Sequence, residues 1–391
     1  MSDRDAAADR DTSAEPDGGT DPASPDGLRR LTRELVSIPS HEDPTAVGDA
    51  IESWLRAETD GAVERDEHGN VFARTGDPDT PTVALVGHHD VVPPADSQTT
   101  VGDDGEERYV LDERDGRLYG RGSADMKGAV AAAMCAFRDA EPEDCELCFA
   151  SFVGEELGGV GARAAIEDGF APEFAVVGEG STNYSGEGVT DVVVAHKGRR
   201  ASTLVASGES THASIPEKGV NAVYRACDAV DVVRELDFPE TTVMGERVRG
   251  SVAVTEIDGG TAWNVVPDRC AVTVDERTVP GERAPLERAE SIEGVEWTVD
   301  QDLPPMACSD DAFADAVLAA AREAQSGVPE HVVKPHATDA GWLAEAGTAC
   351  VICGAAESGE AHTDTESVSY EVLDRCYRIY RGVAEDAEAF A

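Results

Sequence analysis

Lysine is nearly missing from this chain: four in 391 residues, at positions 127, 197, 218 and 334. Aromatic residues are also few, at 5%. Positive charge is scarce beside negative charge, 32 Lys and Arg against 79 Asp and Glu, for a formal net charge of -47. That balance opposes nucleic-acid binding, which draws its affinity from cationic contacts to phosphate. The acids are spread along the whole chain, which fits a solvated surface better than a docking block for a basic partner. An acidic, lysine-poor surface is similar to those of proteins from cells that accumulate molar salt. Near 1 M salt the Debye length is only about 3 Å, so this charge would hardly repel an anionic substrate there. In dilute buffer it should destabilise the fold by self-repulsion. Long apolar runs are lacking too, and none approaches the roughly 20 residues of a membrane span. Residues 1–26 have neither a basic start nor an apolar core of the secretory kind, and they read as a disordered acidic tail. A soluble, cytoplasmic protein is expected.

Cysteine is present as nine residues, an odd number without a signal sequence, which points to reduced and mostly buried thiols. Cys145–Cys148 and Cys350–Cys353 have C-x-x-C spacing, but both pairs lie in apolar strand-like runs. Positions three apart on a strand face opposite sides, so neither pair can share a structural zinc.

The chemistry-bearing segments start at TVALVGHHDVVP. Thr82 to Gly87 reads as a buried strand, and alternation puts His88 and Asp90 on one face with His89 on the other. A metal-bound imidazole usually donates its second N–H to a carboxylate, and Asp90 is placed for that. GRLYGRGSADMKGAVAAAMCAF, residues 116–137, runs from a Gly-rich turn holding Asp125 into an Ala-rich helix. CELCFASFVGEELGG is a strand that stops at Glu155 and Glu156, where both side chains can reach one cleft. EFAVVGEGS is a strand ending at Glu179, and TACVICGAAESGEAHTDTE follows a last apolar strand with His362. These candidates lie beyond the C-terminal ends of predicted strands, where open α/β sheets gather their sites.

The motif order GHHDVVP, GRGSADMKG, GEELGG, VVGEGS and AHTDTE resembles the co-catalytic metallo-aminoacylase and metallopeptidase family, which includes acetylornithine deacetylase, succinyl-diaminopimelate desuccinylase and glutamate-type carboxypeptidases. The likeness spans nearly everything after residue 27. It implies that His88 and Glu179 hold one metal, Glu156 and His362 the other, and that Asp125 bridges them. It further implies that Asp90 orients His88, that Glu155 is the general base, and that the Asp125–Met126 peptide is cis. Imidazole and carboxylate ligands suit two Zn²⁺, with Co²⁺ or Mn²⁺ as plausible substitutes. Such a pair lowers the pKa of a shared water and polarises a scissile carbonyl. Glu155, free of metal duty, can then move the proton.

The expected architecture is α/β: a mixed-sheet, zinc-peptidase-like catalytic domain formed by 27–191 and 304–391, with an inserted α+β domain at 192–303. That insertion reads strand, helix, strand, strand, weak helix, strand, the split βαβ order of a ferredoxin-like sandwich. In the resembling family it is a lid and dimerisation domain, so a homodimer is implied. THASIPEKGVNAV, TAWNVVPD and VDERTVPGE carry the family's motifs there. They imply that His212 reaches the partner subunit's site and that Asn264 and Arg277 anchor a substrate carboxylate, a task that suits a guanidinium. Arg199 and Arg200, in KGRRAS, would pair with the second carboxylate of a succinyl group. The Trp that usually follows the first His motif in this family is absent. His336, beside Thr338–Ala340, would line a substrate cleft; His41, His68, His196 and His331 read as ordinary residues. The expected activity is removal of the N-acyl group from a small amino acid, of desuccinylase or acetylornithine deacetylase type. A dipeptidase or carboxypeptidase is the alternative, and a non-catalytic metal-binding dimer, which would have lost Glu155, the distant one.

Overall fold

The computed structural model describes residues 25–102, 105 and 107–390. The acidic tail expected at 1–26 lies outside them as far as residue 24. Chain order begins with helices α1 (Pro25–Ser37) and α2 (Thr45–Glu58) and strands β1 (Ala62–Arg65), β2 (Val71–Gly76) and β3 (Thr82–His88). Helix α3 (Gly128–Asp139), strand β4 (Glu146–Phe152), helix α4 (Val160–Glu167) and strands β5 (Phe174–Val177), β6 (Val192–His196) and β7 (Arg199–Ser207) follow. Next come α5 (Ala222–Arg234), β8 (Ser251–Gly259), β9 (Arg269–Arg277), β10 (Val295–Leu303), β11 (Met306–Ala307) and α6 (Asp311–Ala324). The chain closes with β12 (His331–Lys334), α7 (Asp339–Glu345), β13 (Ala349–Ile352) and α8 (Tyr370–Glu385).

Nine strands form one mixed sheet in the order β1-β2-β4-β3-β5-β13-β6-β11, with β12 paired to β6. Its centre, β4-β3-β5-β13, is parallel, so the C-terminal ends of four strands emerge along one edge. These strands are apolar on both faces because both faces are covered, as a parallel sheet requires. Leu85, Phe149, Val176 and Val351 pack under α3 and α8, whereas their neighbours Val86, Ala150, Val177 and Ile352 pack against α4 and α7. Each large apolar side chain so buried contributes roughly 1.5–3 kcal/mol. The Ala-rich sequence of α3 suits its position: the helix is buried from Gly128 to Phe137, and small side chains let it lie close to the sheet and to α8. The C-x-x-C pairs straddle the sheet as alternation predicts, Cys145 and Cys353 in one core layer and Cys148 and Cys350 in the other. All nine thiols are free, and only Cys227 is exposed.

A second sheet, order β8-β9-β7-β10 and antiparallel throughout, matches the ferredoxin-like pattern read from the sequence. Helix α5 covers one face through Ala222, Ala226, Ala229 and Val233. Three details differ from expectation. Val192–His196, placed by the sequence in the insertion, belongs to the nine-stranded sheet, because its five buried residues pair with β12 and β13; the insertion's own sheet begins at Arg199. The weak second helix is a short 3-10 segment, Leu286–Ser291, since Pro285 and the loop before it leave no length for an α-helix. A hairpin, Glu240–Val243 with Glu246–Arg249, was not legible, and it packs through Val243 and Val248 on Ala195 of β6. Among the described residues no helix is long and apolar enough to cross a membrane.

Candidate metal centre

Four strand ends deliver the site. His88 closes β3, Glu155 and Glu156 lie in the turn after β4, Glu179 stands two residues beyond β5, and His362 arrives on the loop that follows β13. A Cβ on Gly354 would sit 2.0 Å from the Gly178 carbonyl, so only glycine lets the chain leaving β13 pass this close to the Glu179 loop.

Asp125 comes from elsewhere, on the irregular turn that enters α3. Gly122, at φ 80, heads that turn, and the Asp125–Met126 peptide is cis, as the family resemblance implied. The backbone there is gripped from beneath by Glu366. One carboxylate oxygen accepts from Ala124 N at 3.0 Å and Asp125 N at 3.1 Å; the other pairs with Arg121 at 2.6 Å. Both partners of that pair are buried, 3% and 0% exposed at the side chain. Glu366→Ala would strand the Arg121 charge, at a cost of roughly 3–5 kcal/mol. Denaturant unfolding should show that loss together with weaker metal uptake; unchanged stability would contradict the cradle.

The side chains converge. Asp125 Oδ1 lies 3.1 Å from His88 Nε2 while Oδ2 lies 3.2 Å from His362 Nε2. Glu179 Oε1 is 3.4 Å from His88 Nε2, and Glu156 Oε1 is 3.1 Å from His362 Nε2. Each imidazole therefore faces one glutamate and one oxygen of a shared aspartate. His88, Glu155 and Glu179 form one set with ligand atoms within 4.8 Å of one another, and His88, Asp125 and Glu156 another. Glu155 is thus within ligand reach as well as within the cleft.

Electrostatics say what this cluster needs. Burial pushes Glu155 well above the usual carboxylate range, with Asp339, Glu179 and Glu156 adding to it. Burial opposes charge on His88, but Asp125, Asp90 and Glu179 outweigh it and raise the imidazole well above its ordinary value. Hydrogen bonds to Asp125 and Glu156 pull His362 up to about 10. A crowd of buried acids holding protons on two imidazoles is a donor set that fits cations, and the split Asp125 fits two of them. A dication must displace those protons, so uptake should release them and tighten as pH rises toward about 10. Calorimetry in buffers of different ionisation heat reads the release; none at neutral pH would contradict the assignment.

Asp90, expected to orient His88, meets it with backbone and side chain. His88 Nδ1 lies 3.0 Å from the Asp90 carbonyl oxygen and 3.5 Å from its carboxylate. The two carboxylate oxygens instead accept from Glu155 N and Glu156 N, each at 3.2 Å. Asp90 thus orients the imidazole chiefly through its backbone and pins the turn that carries both glutamates.

The cleft, about 260 Å³, is lined by Asp125, Glu155, Glu156, Glu179 and His362, with Tyr184, Lys334, His336 and Thr338 on its walls. His336, expected beside a substrate cleft, is among its lining, whereas Arg199, Arg200, Asn264 and Arg277 are not. Arg200 is a correction: it is buried, pairs with Glu276 at 2.6 Å, donates to the Ala284 carbonyl and stacks over Trp297, so it holds the insertion's core together. Arg199 and Arg277 share Asp275, each at 2.8 Å, on the partly exposed face. His212 is exposed with Nδ1 2.7 Å from Ser214 Oγ, and Asn264 sits across the short strand pair from it. Neither lines this cleft.

Sequence reasoning missed three neighbours. Asp339, at the start of α7, is buried with neither carboxylate oxygen hydrogen-bonded, and burial pushes it up to about 7. Glu366 gave no signal apart from lying four residues beyond His362. Lys334 did carry one: where lysine is almost absent, a surviving lysine is worth placing. It is 7% exposed and ion-paired to Glu179.

Comparison with known proteins bears on the family and the fold. Residues 84–386 match the model of peptidase family M20/M25/M40. An acetylornithine deacetylase from Myxococcus xanthus is 31% identical over 313 residues, 75% of this chain and 77% of the relative. A probable carboxypeptidase from Emericella nidulans is 30% identical over 275 residues, 64% of this chain and 62% of that one. Among solved structures, aminopeptidase PepT from Bacillus cereus superposes with a TM-score of 0.76 at 20% identity, covering 93% of this chain and 99% of that one. A Bacillus subtilis protein described as a dinuclear metal binding peptidase superposes at 0.67 with 17% identity, covering 93% and 98%. From the family match and the deacetylase relative together, the chain belongs to peptidase family M20/M25/M40.

Proposed function

We propose that this protein is a metal-dependent amidohydrolase that removes the N-acyl group from a small amino acid, of the acetylornithine deacetylase kind, with two zinc ions. The observation that carries this reading is Asp125, whose two oxygens face two different imidazoles while Glu155 stands free of ion pairs among the described residues in the same cleft. His88 and Glu179 would hold one cation, His362 and Glu156 the other, and Asp125 both. The pair, when bound, supplies Lewis acidity toward the scissile carbonyl and the attacking water. Glu155 accepts the proton of that water on a carboxylate oxygen and returns it to the leaving nitrogen. Asp90 keeps the Glu155–Glu156 turn in place through its two backbone hydrogen bonds.

The insertion is assigned as lid and dimerisation domain, in keeping with its separate sheet and the exposed edge strand β8. His212, exposed, and Asn264, half-buried, would complete the partner's site, which accounts for neither of them lining their own cleft. Arg277, with Arg199 beside it on Asp275, is the assigned anchor for a substrate carboxylate. A dipeptidase or carboxypeptidase is the second reading, favoured by the carboxypeptidase relative and the aminopeptidase likeness. A desuccinylase keeps only Arg199 of its two arginines, since Arg200 is committed to Glu276. Hydrolysis of N-acetylornithine, N-succinyl-diaminopimelate and a dipeptide, compared in molar KCl with added Zn²⁺ or Co²⁺, tests the order. Preference for the dipeptide would overturn the deacylase reading.

The setting proposed is a cytoplasm of high salt. With a net charge of -47, thermal stability should rise steadily from about 0.1 M to molar KCl as self-repulsion is screened. A melting temperature indifferent to salt would count against it.

A further inference from the structure

The two halves of the metal centre look alike: one histidine, one glutamate and one oxygen of Asp125 each. They differ by one charge. Lys334, the last residue of β12, places Nζ 3.2 Å from Glu179 Oε2 and donates to the Gly180 carbonyl at 2.9 Å. Glu179 is therefore divided, Oε1 toward His88 and Oε2 toward the ammonium. Among the described residues no lysine or arginine ion-pairs with Glu156. The ammonium is 9% exposed at the side chain, so water screens it little.

We infer that Lys334 makes the two metal positions unequal, holding Glu179 to one-oxygen ligation and offsetting its charge, so that the cation beside His88 and Glu179 binds more weakly than the one beside His362 and Glu156. This rests on the dinuclear reading above. A carboxylate that already accepts from an ammonium is a poorer electron donor, and a fixed positive charge repels the ion it faces. The less neutralised cation is the stronger electron acceptor toward a carbonyl. Lys334 is in this sense a positioning residue that acts through Glu179. A purely structural lysine, tying β12 to the Glu179 loop, has the opposite signature: its loss would loosen Glu179 and weaken metal binding.

The test is calorimetric titration of metal-free wild type, Lys334→Met and Lys334→Arg with Zn²⁺ in molar KCl, with circular dichroism to check folding. Wild type should show two binding events separated by about tenfold or more, the scale of one nearby repelling charge. In Lys334→Met the weaker event should tighten by about tenfold, the scale of removing one repelling charge a few ångströms away, so that the two merge, while kcat falls and KM changes little. Lys334→Arg should keep the separation. Equal sites in wild type would overturn the inference without any variant. So would weaker or unchanged metal binding in Lys334→Met. Fewer than two ions bound by wild type would instead sink the dinuclear reading itself, whatever the variants do.

Discussion

Glu155→Ala is expected to take up two metal ions as tightly as the parent and to hydrolyse amides roughly 10²–10⁴ times more slowly, the usual contribution of a positioned base. The structure sets up a real alternative, because Glu155 lies within 4.8 Å of His88 and Glu179 and has the reach of a ligand. Two features favour the base. Each imidazole already has a glutamate and an aspartate oxygen, so the ligand sets are filled without Glu155. Burial and the neighbouring acids also push its carboxyl up, which suits a group that must accept a proton and hand it on. Metal analysis beside single-turnover kinetics separates the roles. Loss of one ion in Glu155→Ala would make it a ligand, and retained activity would remove it from the chemistry altogether.

Asp125→Ala should be the most damaging substitution at the metal centre, costing tight binding of both ions and reducing hydrolysis to background. Among the described residues no other carboxylate offers one oxygen to each imidazole, and the protein has prepared its place with the Arg121–Glu366 pair and two backbone hydrogen bonds. Losing Glu156 or His362 should spare one position; losing Asp125 should spare neither. Equilibrium dialysis against Zn²⁺ reads the difference. Stoichiometric retention of one tightly held ion in Asp125→Ala would show that the aspartate belongs to a single position.

Much of this centre was legible because strand alternation and strand ends are local properties. His88, Glu155, Glu156 and Glu179 were found by asking where apolar runs stop, and the structure brings all of them to one edge of the sheet. Asp125 and His362 were also placed from the residues, at a turn and after a last strand, but their roles as bridge and second-site ligand came only from the family resemblance, since one lies on an irregular turn and the other ten residues beyond its strand. The alternation argument for Asp90 placed its side chain beside His88, where its carboxylate stands 3.5 Å from Nδ1; the chain has already left β3 at that point, and the backbone carbonyl comes nearer still, at 3.0 Å. Arg200 failed as a substrate residue. Alternation on β7 sends Arg199 out and Arg200 in, and a buried Glu276 on the neighbouring strand was waiting for it. Long-range partners such as Glu366 beneath Asp125, or Lys334 beside Glu179, join positions more than 150 residues apart and leave no periodic trace.

Dinuclear amide hydrolysis is tested most directly by adding Zn²⁺ stepwise to the metal-free protein in molar KCl while following N-acetylornithine cleavage. Activity should appear with metal, reach its plateau at two ions per chain and vanish with a chelator. A plateau at one ion, or cleavage that persists in excess chelator, would contradict it.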